Sequence, residues 1–232
     1  MRVATFNIHH GTVGRRGPVD PERLGAACAS LRADVVCLQE VDEGTWRSGG
    51  ADLAGAAAAA AGMAVAFGPS RRFPGGRYGN AVLVRGDLVG ADLIRLPRVP
   101  ASHRWQEQRT ALAVGVVVDG TSLEVVCTHL AVPTAVNGPQ LGHLLDVLAR
   151  RTRSGPLVVA GDLNRRRADV VPLAAAHDLD VAAHGPSFPA RRPRLDIDHV
   201  LVSSEVEVVR AEVRRTPMSD HAALVVDLEI EA

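Results

Sequence analysis

The chain contains no lysine: all 26 basic residues among its 232 are arginines. That absence excludes a Schiff-base lysine and the lysine of a phosphate-binding loop. Aromatic residues are scarce, with four Phe, two Trp and one Tyr, so a single-strand binder built on rows of stacked bases is a poor fit. Net charge is also missing, because 26 acidic residues balance the arginines, and a neutral chain exerts little long-range pull on a polyanion. The three cysteines, Cys28, Cys37 and Cys127, sit in apolar surroundings ("AACAS", "VVCLQ", "VVCTH") without metal-ligand spacing. An odd count at such positions predicts buried, reduced thiols rather than a disulfide framework. The longest apolar run, "AGAAAAAAGMAVAF", is interrupted by glycine and falls short of the ~20 residues that a membrane span needs. No signal-peptide pattern precedes the opening "MRVATFNI", so the expected location is cytoplasmic. There is no HExxH and no Cys/His pairing, which argues against zinc.

What the chain does have is apolar content, 47% of residues, enough for a large core. Strands and helices alternate. "RVATFNI" and "DVVCLQE" read as strands separated by a helix over "VDPERLGAACASLRA", with Asp20 as N-cap and Pro21 at the first helical position. A second helix is expected from Asp52 to Gly62, followed by strands at "YGNAVLV", "TALAVGVVV" and "LEVVCTHL". "NGPQLGHLLDVLARR" carries Leu141, Leu144, Leu145 and Leu148 at helical spacing. After "PLVVAGD" comes a helix near Ala168 to His177, and then the strands "DIDHVLVS", "VEVVRAEVRR" and "HAALVVDLEIE". This order predicts one α/β domain over residues 1–232, a pair of mixed sheets with helices outside, and no linker or repeat.

A regularity runs through these strands: they begin or end on side chains that bind metals or phosphates. Asn7 follows "VATF", Glu40 follows "VVCLQ", His129 follows "VVCT", and Asp162 and Asn164 close "PLVVAGDLN". Asp198 lies in "DIDHV", and Asp220 and His221 directly precede the last strand. Asp-x-Asn after a strand is by itself an ordinary turn. Six such strand ends in one chain point instead to a site assembled where a sheet holds its loops rigid.

The segments "TFNIHHG", "LQEVD", "YGNAVL", "THL", "GDLN", "IDHVLVS" and "SDHAAL" resemble, in order, those of the endonuclease/exonuclease/phosphatase family of deoxyribonuclease-I-like phosphohydrolases. The resemblance runs from Thr5 to about Leu228. It implies a four-layer sandwich of two packed mixed β-sheets flanked by helices, with magnesium or manganese as cofactor. It also implies that Glu40 is the main metal carboxylate, with Asn7 beside it and Asp220 near the ion. Asp162 and Asn164 resemble the pair that positions and activates water, and Asp198 and His221 a paired carboxylate and imidazole. His129, Tyr78 and Asn80 resemble the residues that contact the scissile phosphate. Arg109, in "EQRTALAV", matches the family's strand-leading arginine, structural or phosphate-facing. His9 departs from the pattern: several family nucleases carry an acid there, so phosphate contact is expected of it instead. His10, His103, His143, His177, His184 and His199 are expected in helix, surface or packing roles.

The resemblance leads to a phosphodiester substrate, with DNA or RNA first and a phosphatase or a phospholipid or inositol-phosphate phosphodiesterase as the alternative. A binding module that has lost its chemistry would lack Glu40, Asp162 or His221, and all three are present. Either Asp162 or His221 takes the proton from water. The groups Arg165 to Arg167 and Arg191, Arg192 and Arg194 flank the motifs. They are either rim groups that grip phosphates bidentately or solvated surface. Few aromatics and short loops predict an open site with little base preference and steep salt dependence on nucleic acid.

Overall fold

A computed structural model describes residues 1–99, 106–151 and 155–230; His103 lies outside the described residues. The order of elements is β1 (Arg2–Asn7), α1 (Pro21–Ser30), β2 (Val35–Glu43), α2 (Leu53–Ala61), β3 (Ala64–Phe73), β4 (Gly76–Val84), β5 (Asp87–Arg95) and β6 (Thr110–Val118). There follow β7 (Thr121–His129), α3 (Thr134–Arg150), β8 (Leu157–Asp162), α4 (Arg167–Ala175), β9 (Leu179–Val181), β10 (Asp198–Ser203), β11 (Val206–Arg214) and β12 (Ala223–Ile230).

Two six-stranded sheets form, ordered β11-β12-β1-β2-β4-β3 and β5-β6-β7-β8-β10-β9. Each has one parallel pair at its centre, β1 with β2 and β7 with β8, and antiparallel neighbours elsewhere. Those central strands are apolar throughout because both of their faces are buried. One face of each sheet packs on the other sheet through Val3, Val35 and Val82 against Val114, Val125 and Val158. The outer face of the first sheet takes α1 and α2, and that of the second takes α3 and α4. This is the expected four-layer α/β sandwich.

Local chemistry explains the helices. Asp20 accepts the Arg23 N–H and Asp52 accepts the Gly55 N–H, while Gly62 closes α2 in the left-handed region. The alanine run is not a membrane segment but a helix of small residues lying close to α1: a Cβ on Gly25 would meet the Ala60 methyl at 2.6 Å. No helix among the described residues is long and apolar enough to cross a membrane. All three cysteines are buried and free. Three strands carried no clear sequence signature: β3, β5 and β9, all at or beside a sheet edge. β3 holds Gly68 and Pro69, and β5 is mostly exposed and broken by a bulge at Gly90 with φ 93°. Edge strands shed the alternation that reveals a half-buried strand.

Register delivers the polar strand ends to one mouth of the sandwich. Asn7 pairs with Gln39, and Asp162 pairs with His129 on one side and Asp198 on the other. The tightest backbone approach lies just beneath, where a Cβ on Gly161 would stand 1.9 Å from the Thr128 carbonyl oxygen. Backbone on both sides leaves no room to yield, so Gly161→Ala is expected to cost on the order of 3–5 kcal/mol, read as a lower urea midpoint with an unchanged slope.

Candidate active site

Strand parity aims most of the site. Val3, Thr5 and Asn7 follow one another at every second position of β1, as do Val125, Cys127 and His129 of β7 and Val158, Ala160 and Asp162 of β8. In each series the apolar members face the other sheet, and side chains two apart share a face. The last member of each series therefore reaches the space between the sheets at their mouth. Asp198 arrives there from β10, and Tyr78 and Asn80 from β4.

Parity alone turns Glu40 the wrong way, since Leu38 two residues earlier packs in the helix layer. A bulge between Leu38 and Val41 in the pairing with β4, together with a left-handed φ of 59° at Glu40, re-aims the carboxylate. The Asn7 side-chain N–H then donates to both Glu40 Oε1 at 3.1 Å and Asp162 Oδ2 at 3.0 Å. Asn7 Oδ1 accepts the His9 N–H at 3.0 Å. The amide expected beside the metal thus presents its nitrogen, bridging the two carboxylates.

Asp162, 1% exposed, is held from both ends, since the Asn164 backbone N–H donates to its other oxygen at 3.0 Å. Burial and the nearby Asp198 carboxylate push its pKa up to about 7, against the opposing pull of His221. His221 stands with Nε2 3.7 Å from Asp162 Oδ2 and donates from Nδ1 to Asp198 at 3.0 Å. Burial works against its charge, but Asp198 and Asp162 outweigh that and raise its pKa to about 10. Asp198 also accepts the Ser187 hydroxyl, and the Phe188 ring packs on the imidazole with centroids 4.6 Å apart. Although burial opposes it, the His221 charge lowers the Asp198 pKa.

The neutral histidine is His129. Burial, then the Arg109 and His221 charges, hold its pKa well below the usual range. Arg109 donates to its Nδ1 at 3.0 Å, and its Nε2 lies 3.2 Å from the Asn164 side-chain nitrogen and 3.5 Å from Asp162 Oδ2. Burial opposes the Arg109 charge as well, but Tyr78, Glu107 and Glu40 prevail and raise its pKa. Burial pushes the Tyr78 phenol far up. The Asn80 amide is spent on the Thr110 carbonyl, at 2.9 Å. His9 contacts Thr12 and lies 3.9 Å from Asp220.

His10, expected to pack, instead places Nε2 3.1 Å from Glu40 Oε2. Nothing in "NIHHG" distinguishes its two histidines; only the left-handed backbone at both, φ 44° and 56°, separates their directions. His199 does pack. It donates from Nε2 to the Arg165 carbonyl at 2.8 Å, and burial takes its pKa down to about 4. Arg165 and Arg166 are bound within the protein, to Asn137 and to Asp196. Arg191, Arg192 and Arg194 stay exposed on the turn after Phe188.

The oxygen donors facing this mouth, chiefly Glu40 and Asp162 with Asp220 at its side, form a hard set that fits magnesium or manganese better than a softer ion. Asp162, Asp198 and His221 also bring donor atoms within 4.8 Å of one another. Asp198 is already engaged by Ser187 and His221, so that trio fits proton handling better than ion binding.

The sequence profile of the Endonuclease/Exonuclease/phosphatase family matches residues 4–221, and the chain belongs to that family, whose members are hydrolases of phosphoester bonds. The chain is 30% identical to the uncharacterised protein YbhP of Escherichia coli (strain K12), over 99% of this chain and 96% of that protein. Its fold matches the crystal structure of an endonuclease/exonuclease/phosphatase from Beutenbergia cavernae, with TM-score 0.83, 28% identity, and coverage of 100% of this chain and 72% of that one. It also matches the mannosyl-6-phosphatase of Bacteroides thetaiotaomicron, at TM-score 0.76 and 16% identity over 99% of this chain and all of that one.

One measurement probes the histidine–carboxylate pair directly. Asp198→Asn removes the anion that holds the His221 proton, so the imidazole titration seen by NMR should fall from near 10 by at least one unit. The sign follows from the raised value: the stabilisation from this pair is full below the unfolded-state pKa of about 6.5. It is lost as pH rises through about 10 in the wild type, and in the variant a smaller loss should occur at correspondingly lower pH.

Proposed function

We propose that the chain is a magnesium- or manganese-dependent phosphodiesterase acting by water attack, with nucleic acid as the first substrate class. The observation that carries the reading is geometric: His221 Nε2 and His129 Nε2 stand 3.7 Å and 3.5 Å from Asp162 Oδ2 at the mouth, where Asp162 is raised to about 7 and His221 to about 10. A carboxylate titrating near neutrality is a matched general base, whereas an imidazole that keeps its proton is not. Asp162 therefore takes the proton from the attacking water. Asn164 and Asn7 hold its two oxygens in place.

Cationic His221, fixed by Asp198 and the Phe188 ring, presents Nε2–H to a phosphoryl oxygen and steadies the charge that builds there. Neutral His129, held at Nδ1 by Arg109, stands with its Nε2 toward Asp162. The new bond forms between the water oxygen and phosphorus, the bond to the leaving oxygen breaks, and that oxygen is protonated from solvent. A divalent ion held by Glu40, with Asp220 at its side, would supply charge neutralisation at the phosphate and the leaving oxygen. Arg191, Arg192 and Arg194, exposed on the turn that follows Phe188, suit a substrate with flanking phosphates.

Two experiments test this. Chelation should abolish hydrolysis, and Glu40→Gln, which keeps the shape and removes the charge, should weaken metal binding and reduce kcat/KM on the order of 10²-fold. Full activity in excess chelator would reject the metal-centred reading. A panel of plasmid DNA, single-stranded DNA, RNA, bis-(p-nitrophenyl) phosphate, p-nitrophenyl phosphate, inositol phosphates and sphingomyelin decides the substrate. Cleavage of the diesters is expected, with little base preference. Turnover of monoesters or lipid alone would favour the phosphatase or phospholipase-type alternative.

A further inference from the structure

Three consecutive residues, His9, His10 and Gly11, have left-handed backbone, with φ 44°, 56° and 73°. Glycine adopts this conformation freely; for another L-residue it carries a cost of roughly 1 kcal/mol. The turn is nevertheless well determined. Gly11 N–H bonds the Ile8 carbonyl at 2.9 Å, Thr12 N–H the His9 carbonyl at 3.1 Å, and Asp20 N–H the Gly11 carbonyl at 2.9 Å. At Gly11 the chain uses the residue that the backbone favours. At position 10 it does not, and something about the imidazole must offset the strain.

That something is its contact with Glu40. His10 Nε2 lies 3.1 Å from Glu40 Oε2 while Asn7 donates to Oε1 at 3.1 Å. Each carboxylate oxygen thus has one donor, and the group is clamped from two sides. The Tyr78 ring, its centroid 5.7 Å from that of the imidazole, backs the ring on another side. His10 Nδ1 is buried and has no hydrogen-bond partner. A second N–H at that nitrogen would be stranded, which costs more than a stranded lone pair beside water-poor surroundings. The ring therefore carries its proton on Nε2 and donates it to Glu40.

We propose that His10 is a positioning residue that donates Nε2–H to Glu40 and fixes the carboxylate in the orientation that receives the divalent ion. The inference rests on the proposed metal-dependent reading of the site. It also explains why a bulge and a left-handed residue at Glu40 suffice: a side chain on so irregular a backbone needs external donors to hold one rotamer. Groups that orient a ligand in this way typically contribute about 10- to 100-fold to metal affinity.

The test separates function from folding because glycine is the residue that position 10 favours. In His10→Gly the strain is relieved and the donor is lost. Manganese affinity, measured by electron paramagnetic resonance of free Mn²⁺ with no substrate present, should fall about tenfold or more, while the protein unfolds no earlier than the wild type. His10→Gln offers an amide N–H over a similar reach and should recover a substantial part of the affinity, as a smaller ring-sized residue without a donor, His10→Leu, should not. Unchanged Mn²⁺ affinity in folded His10→Gly, or equal losses in the Gln and Leu variants, would overturn the proposal. If His10→Gly fails to fold, the Gln and Leu pair decides alone. Wild-type protein that binds no Mn²⁺ would overturn the parent reading instead, and the two failures are thereby distinguishable.

Discussion

One side-chain amide, that of Asn7, spans the two sheets. Its nitrogen meets Glu40 of its own sheet and Asp162 of the other, so two carboxylates that would repel across a dry gap share a donor. The contact is possible only if the sheets pack with their central pairs in the right offset, and that offset is set by the interlocking valines beneath. The floor under Asn7 is polar but closed. Gln39 gives its amide hydrogens to Thr5, to the Cys37 carbonyl and to the Cys127 sulfur, and Ser219 ties its hydroxyl to the Asn7 carbonyl at 2.7 Å. Buried polar groups that are each satisfied in this way fix one arrangement of the sheets and penalise a slip.

The electrostatics follow from that closure. Asp162, Asp198, His129 and His221 are all less than a tenth exposed, so each ionisation depends on its neighbours rather than on water. Asp198 has a cation and a hydroxyl and stays charged; Asp162 faces a second carboxylate and resists charging. The two histidines divide in the same way, since Arg109 confronts one and Asp198 the other. Near-identical side chains thereby acquire different chemistry within a few ångströms, which a site needs if it is to move a proton and hold an anion together.

Much of this was legible in the sequence because strand ends are. A run such as "PLVVAGD" declares both its burial and the point where it stops, and the caps Asp20 and Asp52 and the leucine spacing of α3 declare the helices. The polar residues that matter follow those runs directly. What escaped was whatever depends on irregular backbone or on distant partners. Glu40 was identified by motif, but its approach through a bulge was not foreseeable, because a bulge leaves the residue order unchanged. His10 and His9 differ only in how a left-handed turn points them. The arginines after Asn164 could be read as a rim or as solvated surface, and Arg165 and Arg166 instead engage Asn137 and Asp196, partners far away in sequence. β3, β5 and β9 stayed hidden because edges have no second neighbour to demand regular alternation.

The pairing of β1 with β12, Arg2 opposite Asp227 and Thr5 opposite Leu224, has a consequence for biosynthesis. The strand that bears Asn7 leaves the ribosome some two hundred residues before its neighbour and the His221 that precedes that neighbour. Until then one flank of the first sheet is an open edge, and Asp198 has the Ser187 hydroxyl but no imidazolium. Long-range pairings of this kind form late, after the local helices. The site therefore stays incomplete over the roughly two hundred residues that separate Asn7 from His221, and it is completed when β12 closes the sheet.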